Sequence, residues 1–149
     1  MKILFVCLGN ICRSPMAEAY MRDLLRKHQV TSMVVDSCGT SGWHQGERPH
    51  HKTLEVLTKD GVSSSNLRSR PLMDSDFDTF DVIIGMDKNN VRDLKRLAPP
   101  QYHPKIHLFL DVLTGYEGCD VPDPWYTGDF EETRRFVRDG VSAWFTKLM

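Results

Sequence analysis

No apolar run in this sequence approaches the ~20 residues that a membrane-spanning helix requires, and Met1 to Val6 is too short for the apolar region of a secretory signal. Neither sign of charge is in excess: 19 basic and 20 acidic side chains leave a net charge of −1, and they are interspersed along the chain. That balance removes the basic field a nucleic-acid binder needs and the polybasic patch of a membrane-surface protein, so neither partner is expected. Cysteine is scarce, at positions 7, 12, 38 and 119 with no Cys-x-x-Cys pair, which argues against both a zinc site and a disulfide framework. His44, His50 and His51 have no matching carboxylate pattern and read as solvated side chains, so no metal and no other cofactor is expected. Repeats and low-complexity segments are also missing. These absences leave a soluble cytoplasmic protein with reduced thiols, whose 149 residues suffice for one domain, 1–149, with a core that needs no staples.

The stretch richest in chemistry is Val6-Cys7-Leu8-Gly9-Asn10-Ile11-Cys12-Arg13-Ser14-Pro15. Lys2 to Val6 is β-branched and aromatic, as a buried parallel strand is, while Ser14-Pro15 reads as a helix start with Ser as N-cap and Pro at the first helical position. Between them the chain must turn sharply, and Gly9 and Asn10 are residue types that tolerate left-handed backbone. Consecutive amides in such a turn, followed by a helix N-terminus, make a concave anion site, so Leu8, Gly9, Asn10, Ile11, Cys12 and Ser14 are expected to surround a phosphate or another oxyanion. Cys7 lies at its rim. A thiol facing that positive field, with the Arg13 guanidinium nearby, is expected to ionise below its free pKa and act as a nucleophile. Arg13 offers a planar fork that matches two phosphate oxygens, and Ser14 can donate a hydrogen bond to the thiolate. A cysteine in a buried strand is more often a small hydrophobe; here the surrounding strand, Gly-Asn turn, Arg-Ser pair and Pro-opened helix favour the phosphate cradle.

Further along, Ala17, Tyr20, Met21, Leu24 and Leu25 recur at helical spacing and predict a helix ending near His28. Met33 to Ser37 predicts a second strand, Cys38 to Pro49 a glycine-containing loop, and Pro49 to Asp60 a helix closed by Gly61. Ser63 to Pro71 reads as a polar loop. Asp81 to Met86 predicts a third strand, Asp87 the cap of a helix over about 88–98, and Lys105 to Leu110 a short fourth strand. Asp129 to Glu132 suggests a capping box, with Phe136, Val137, Val141, Trp144, Phe145 and Leu148 marking the inner stripe of a final helix. Alternating strands and helices argue an α/β fold, a parallel sheet covered on both faces. Trp43 in the long loop is either a surface aromatic or a wall of the cradle, and Asp123 before Pro124 is either a turn residue or an acid.

Residues 6–15 resemble, at every position, the phosphate-binding loop of the low-molecular-weight protein tyrosine phosphatases, whose pattern is Cys, five residues, Arg, Ser. The likeness extends to Asp36-Ser37-Cys38-Gly39-Thr40, to Trp43-His44, to the strand from Phe80-Asp81 to Met86-Asp87 with Asn90 beyond it, and to Val121-Pro122-Asp123-Pro124-Trp125-Tyr126. The resemblance implies four parallel strands in the order 2-1-3-4, with the phosphate loop after strand 1 at a topological switch point. It also implies that Asp123 is the general acid, that Asn10 fixes the loop through Ser14 and Ser37, that Trp43 belongs to the substrate wall, and that Cys12 can resolve an oxidised Cys7.

Phosphomonoester cleavage needs a nucleophile, charge stabilisation on the equatorial oxygens and a proton for the leaving oxygen. Cys7, Arg13 and Asp123 would supply these in turn, with no metal. Trp43, Trp125 and Tyr126 would flank an aryl ring, which favours tyrosine-phosphorylated proteins as substrates. An arsenate reductase on the same fold would need further cysteines after the third strand, and Gly85 to Leu97 has none. Bacterial relatives that act on phosphoarginine resemble this chain but carry Thr where Ile11 stands. A non-enzymatic phosphate binder would keep Arg13 and the Gly9-Asn10 turn but has no use for both Cys7 and Asp123.

Overall fold

A computed structural model describes residues 1–149. Its centre is β1 (Lys2–Cys7), which pairs in parallel with β2 (Val34–Gly39) on one side and β3 (Val82–Gly85) on the other; β4 (Ile106–Leu108) extends the sheet beyond β3, giving the order 2-1-3-4. Alternation along β1 divides the core. Ile3 and Phe5 point into a large apolar cluster with Met16, Met21, Val137 and Trp144, from α1 (Arg13–Lys27) and α6 (Phe130–Leu148). Leu4 and Val6 point the other way, against Phe77 of α3 (Asp76–Thr79) and Leu94 of α4 (Lys88–Leu97). A strand buried on both faces must be apolar at every position, which is why Ile3 to Val6 shows no polar alternation. No helix is long and apolar enough to cross a membrane.

The remaining helices are α2 (His51–Lys59) and α5 (Pro124–Thr127). Asp60, just past α2, accepts the Tyr20 hydroxyl from α1 and two bonds of 3.0 and 3.1 Å from the Arg134 guanidinium of α6, which ties three helices at one point.

Several boundaries differ from the sequence expectation. Pairing of β2 with β1 begins at Val34, not Met33, and runs on through Gly39, opposite Cys7, so the long loop starts later than Cys38. β4 stops at Leu108, because the chain enters a 3₁₀ turn over Phe109–Val112 and the Phe109 carbonyl accepts the Trp144 indole N–H at 2.8 Å. The helix start assigned to Ser14 lies two residues earlier, with Cys12 at the N-cap position and no side-chain cap. Ser14 is in the first turn, and its hydroxyl is committed to other partners. The capping box at Asp129 is half formed: Asp129 accepts the Glu132 amide at 2.9 Å, but its own amide goes to Thr127 Oγ1 at 3.1 Å. The box is complete at α4, where Asp87 and Asn90 each accept the other's amide, at 2.7 and 3.1 Å.

Candidate active site

The loop between β1 and α1 is turned inside out by its neighbours. The Leu8 carbonyl accepts both the amide and the hydroxyl of Ser41 at 3.0 Å, the Gly9 carbonyl accepts the Ser69 hydroxyl at 3.1 Å, and the Ile11 carbonyl accepts the His50 amide at 2.8 Å. With the carbonyls drawn outward, the amides of Leu8, Gly9, Ile11, Cys12, Arg13 and Ser14 donate to no acceptor in the protein. They form a cradle of positive dipoles at the N-terminus of α1. The left-handed residue in this turn is Asn10, at φ 57°, and not Gly9. At Gly9 a Cβ would stand 3.2 Å from the His44 ring, which would have to give by a few tenths of an ångström. Gly39 is tighter still: its added Cβ would lie 2.7 Å from the Leu8 carbonyl oxygen.

Cys7 is buried at the floor of the cradle. Its Sγ receives the Asn10 amide at 3.3 Å and lies 3.0 Å from the Ser14 hydroxyl. Ser14 Oγ also accepts the Asn10 Nδ2 at 2.8 Å, and its own proton is available to Cys7 as a thiolate. Asn10 also donates to Ser37 Oγ at 2.9 Å and accepts the Arg70 amide at 3.0 Å, so every arm of its buried amide is used within the scaffold. Ser37 passes the chain on to Glu18 Oε1 at 2.6 Å. The side chains of Asn10, Ser37 and Glu18 thus stand behind the cradle, holding it, while Ser14 faces the sulfur.

Arg13 is 2% exposed and is fixed by three acceptors from distant parts of the chain. Its NH1 group donates to Asp87 Oδ2 and to the Val121 carbonyl, both at 2.8 Å, and NH2 reaches Asp123 Oδ2 at 3.4 Å. Burial alone would weaken the charge, but Cys7, Asp87 and Asp123 outweigh it and raise the guanidinium pKa. Nε has no acceptor in the protein, and with the second NH2 proton it offers an edge to a bidentate acceptor in the cradle. Asp123 is the N-cap of α5: its Oδ1 accepts the Trp125 amide at 3.1 Å, which turns Oδ2 toward Arg13. Cys12 lies buried in the same loop, and burial, with Cys7 and Asp123 adding, pushes its thiol up to about 12.

Above the sulfur is a cavity of about 180 Å³, lined by the loop from Cys7 to Arg13 except Asn10, and by Trp43, His44, Asp123, Trp125 and Tyr126. The structure therefore brings Cys7, Arg13, Asp123 and the three exposed aromatic residues to one mouth. Sequence reasoning missed Asp87 and Val121 as partners of Arg13, Glu18 as the end of the chain behind Asn10, and His44 as a wall. One signal was available: Glu18 falls on the apolar stripe of α1, where a solvated carboxylate has no place.

A thiol and a clamped guanidinium thus sit in an amide cradle at the carboxyl edge of a central parallel strand, where open α/β sheets bind their ligands. The sequence matches the profile of low molecular weight phosphotyrosine protein phosphatases over residues 2–149. It is 44% identical over 139 residues to the low molecular weight protein-tyrosine-phosphatase YfkJ of Bacillus subtilis, covering 93% of this chain and 89% of that one. The crystal structure of YfkJ superposes with a TM-score of 0.96 at 41% identity, over 99% of this chain and 94% of that one. Two more distant structures are an arginine phosphatase from Drosophila (TM-score 0.91, 30% identity, 99% and 98% covered) and Vibrio vulnificus Wzb in complex with benzylphosphonate (TM-score 0.84, 28% identity, 98% and 97% covered). The chain belongs to the low molecular weight protein-tyrosine-phosphatase family, whose members are metal-independent hydrolases.

Proposed function

We propose that the protein hydrolyses phosphotyrosine in proteins, and small aryl phosphates, through a phosphocysteine intermediate. The observation that carries this reading is the convergence of Cys7, Arg13 and Asp123 on one cavity with an aromatic rim. The Cys7 thiolate attacks phosphorus in line, forming the S–P bond as the phenolic oxygen leaves with a proton from Asp123. Asp123, now a carboxylate, takes a proton from water as that water attacks phosphorus, the S–P bond breaks, and the thiolate is restored. The loop amides and the free edge of Arg13 hold the charge on the three equatorial oxygens through both steps. Ser14, whose hydroxyl lies 3.0 Å from Cys7 Sγ, donates to the sulfur as it becomes the leaving group of the second step.

Trp43, Trp125 and Tyr126 are 75%, 57% and 76% exposed, so large aromatic surfaces stand in water where a phenyl ring would enter. Benzylphosphonate, bound by the Vibrio vulnificus relative, has the same shape of a ring one atom away from a phosphorus oxyanion. A second reading is phosphoarginine, the substrate class named for the Drosophila neighbour. Ile11 lines the cavity here with an apolar surface and offers no hydroxyl to a guanidinium, which favours the aryl substrate. The chemistry requires Cys7 in the reduced state, in keeping with a cytoplasmic location.

The test is release of phosphate from p-nitrophenyl phosphate and a phosphotyrosyl peptide in the presence of EDTA. The wild type should turn over; Cys7→Ser should not, yet should still bind a phosphate analogue, since a hydroxyl is a poor nucleophile in an intact cradle. Turnover by Cys7→Ser would refute the covalent route. Ile11→Thr should raise phosphoarginine activity relative to phosphotyrosine, and an unchanged ratio would remove this position as the selector.

A further inference from the structure

Trp125 is a partition with a groove behind it. On one side its ring lies 6.1 Å from that of His44, within the catalytic mouth; on the other it meets the His50 ring edge-on, also at 6.1 Å. The groove on the His50 side is lined by His50, His51, Lys52, Pro124, Trp125 and Phe130, together with a glycine, and by no carboxylate. His50 is bound to the catalytic loop through its amide on the Ile11 carbonyl, and its Nδ1 accepts the Lys52 amide at 3.1 Å, which leaves the ring proton on Nε2. Burial, then the nearby His51 and Lys52, lowers its pKa, so His50 is a neutral donor. His51 stacks on it at 4.4 Å, and the Lys52 ammonium lies 5.7 Å from the centre of the Phe130 ring.

A structural role accounts for His50, which caps α2 and stacks on Phe130 at 4.9 Å. His51 and Lys52 are exposed beyond those contacts, and both line the groove, which shares Trp125 with the mouth. Glu55, Asp129 and Glu131 line the adjoining depression, which shares Lys52 and Phe130 with the groove.

We propose that the groove formed by His50, His51 and Lys52 behind Trp125 is a subsite for an Asp or Glu side chain flanking the phosphotyrosine, so that the protein selects phosphotyrosyl peptides with an acidic residue one or two positions away. The proposal rests on the phosphotyrosine reading and specifies its substrate. An extended chain advances about 3.3 Å per residue, so one or two residues carry a peptide from the mouth across the indole and into the groove. A carboxylate placed farther along meets Glu55, Asp129 and Glu131 and gains nothing.

The experiment compares phosphotyrosyl peptides bearing Asp, Ala or Lys at the positions one and two residues to either side, and a peptide with Asp five residues away. In about 50 mM salt the Asp peptides should exceed the Ala peptides in kcat/KM by roughly three- to fivefold, the scale of one partly exposed ion pair, with the difference in KM and declining as salt rises. The distant Asp should behave as Ala. Lys52→Glu, an exposed change in the first turn of α2 that favours the helix dipole, should invert the Asp-to-Lys ratio. Equal rates on Asp and Ala peptides, or a wild-type ratio in Lys52→Glu, overturn the subsite while leaving the phosphotyrosine reading intact. Failure of the wild type on every peptide and on p-nitrophenyl phosphate overturns the underlying reading instead.

Discussion

The hydroxyl of Ser37 donates to Glu18 Oε1 at 2.6 Å, joining a buried carboxyl group to the catalytic loop through Asn10. Burial raises the Glu18 pKa to about 7, against the opposing Ser37 hydrogen bond and the Arg22 ion pair. The folded protein therefore holds this proton more tightly than the unfolded chain does. Its stabilising effect is complete below the unfolded carboxyl pKa of about 4.3 and is lost as pH rises through 7, an effect on the order of 3 kcal/mol. Glu18→Gln should flatten the wild-type decline in stability between pH 4.5 and 7.5. Urea unfolding midpoints of both proteins across that range check it; parallel curves would assign the slope to other groups.

Asp123→Asn preserves the oxygen that accepts the Trp125 amide, so α5 should keep its cap and the mouth its shape. What it removes is the proposed proton donor. Turnover of aryl phosphates with poor leaving groups should fall by about 10²–10⁴, the usual worth of a positioned general acid, and the loss should shrink as the phenol becomes more acidic. A series of substituted phenyl phosphates measures this, and a penalty independent of leaving-group pKa would make Asp123 a structural residue.

Asp87 serves two masters, the α4 N-terminus and the Arg13 guanidinium. Asn90→Ala removes only the acceptor of the Asp87 amide, keeps both Asp87 contacts, and should lower stability by roughly 1 kcal/mol while leaving kcat/KM near wild type. Asp87→Ala breaks both. Although it removes a negative charge near a phosphate dianion, it frees a guanidinium that must be held in one plane, and kcat/KM should drop by about tenfold or more. Equal activities in the two variants would show that the Val121 carbonyl and Asp123 suffice to position Arg13.

Cys12 enters oxidation as a thiol, because burial keeps it protonated. Peroxide would convert the Cys7 thiolate to a sulfenic acid, and the Cys12 thiol would then displace water to give a disulfide, sparing Cys7 from irreversible oxidation. Wild type should lose activity under mild peroxide, show a Cys7–Cys12 peptide by mass spectrometry, and recover with dithiothreitol. Cys12→Ser should begin active and recover poorly. Equal recovery without a bridged peptide would reduce Cys12 to packing.

The parts legible in the sequence were those governed by local rules. The apolar run of β1, the Gly9-Asn10 turn and the stripe of α1 each follow from period or backbone tolerance, and together they located the cradle. Strand order came through family resemblance, since periodicity holds no record of which strands are neighbours. One-turn helices such as α3 and α5 are too short to show a period, although Asp123-Pro124 and the left-handed Gly128 carry start and stop signals for α5. Ser14 has the residue type of an N-cap and lost that role to a tertiary partner, Cys7. Asp87 was hidden by the opposite circumstance: its local role as a cap explained it fully, and nothing local pointed to an arginine 74 residues away.

The chain's three indoles divide sharply by environment. Trp43 and Trp125 stand 75% and 57% exposed at the mouth, whereas Trp144 is 1% exposed beneath the sheet with its N–H on a carbonyl. Emission from the first two will lie to the red and be open to quenching by iodide or by an arriving ring, while Trp144 emits to the blue and is shielded from both. The molecule carries its own two-colour gauge: the red component reports when the mouth is filled, and the blue one when the core comes apart.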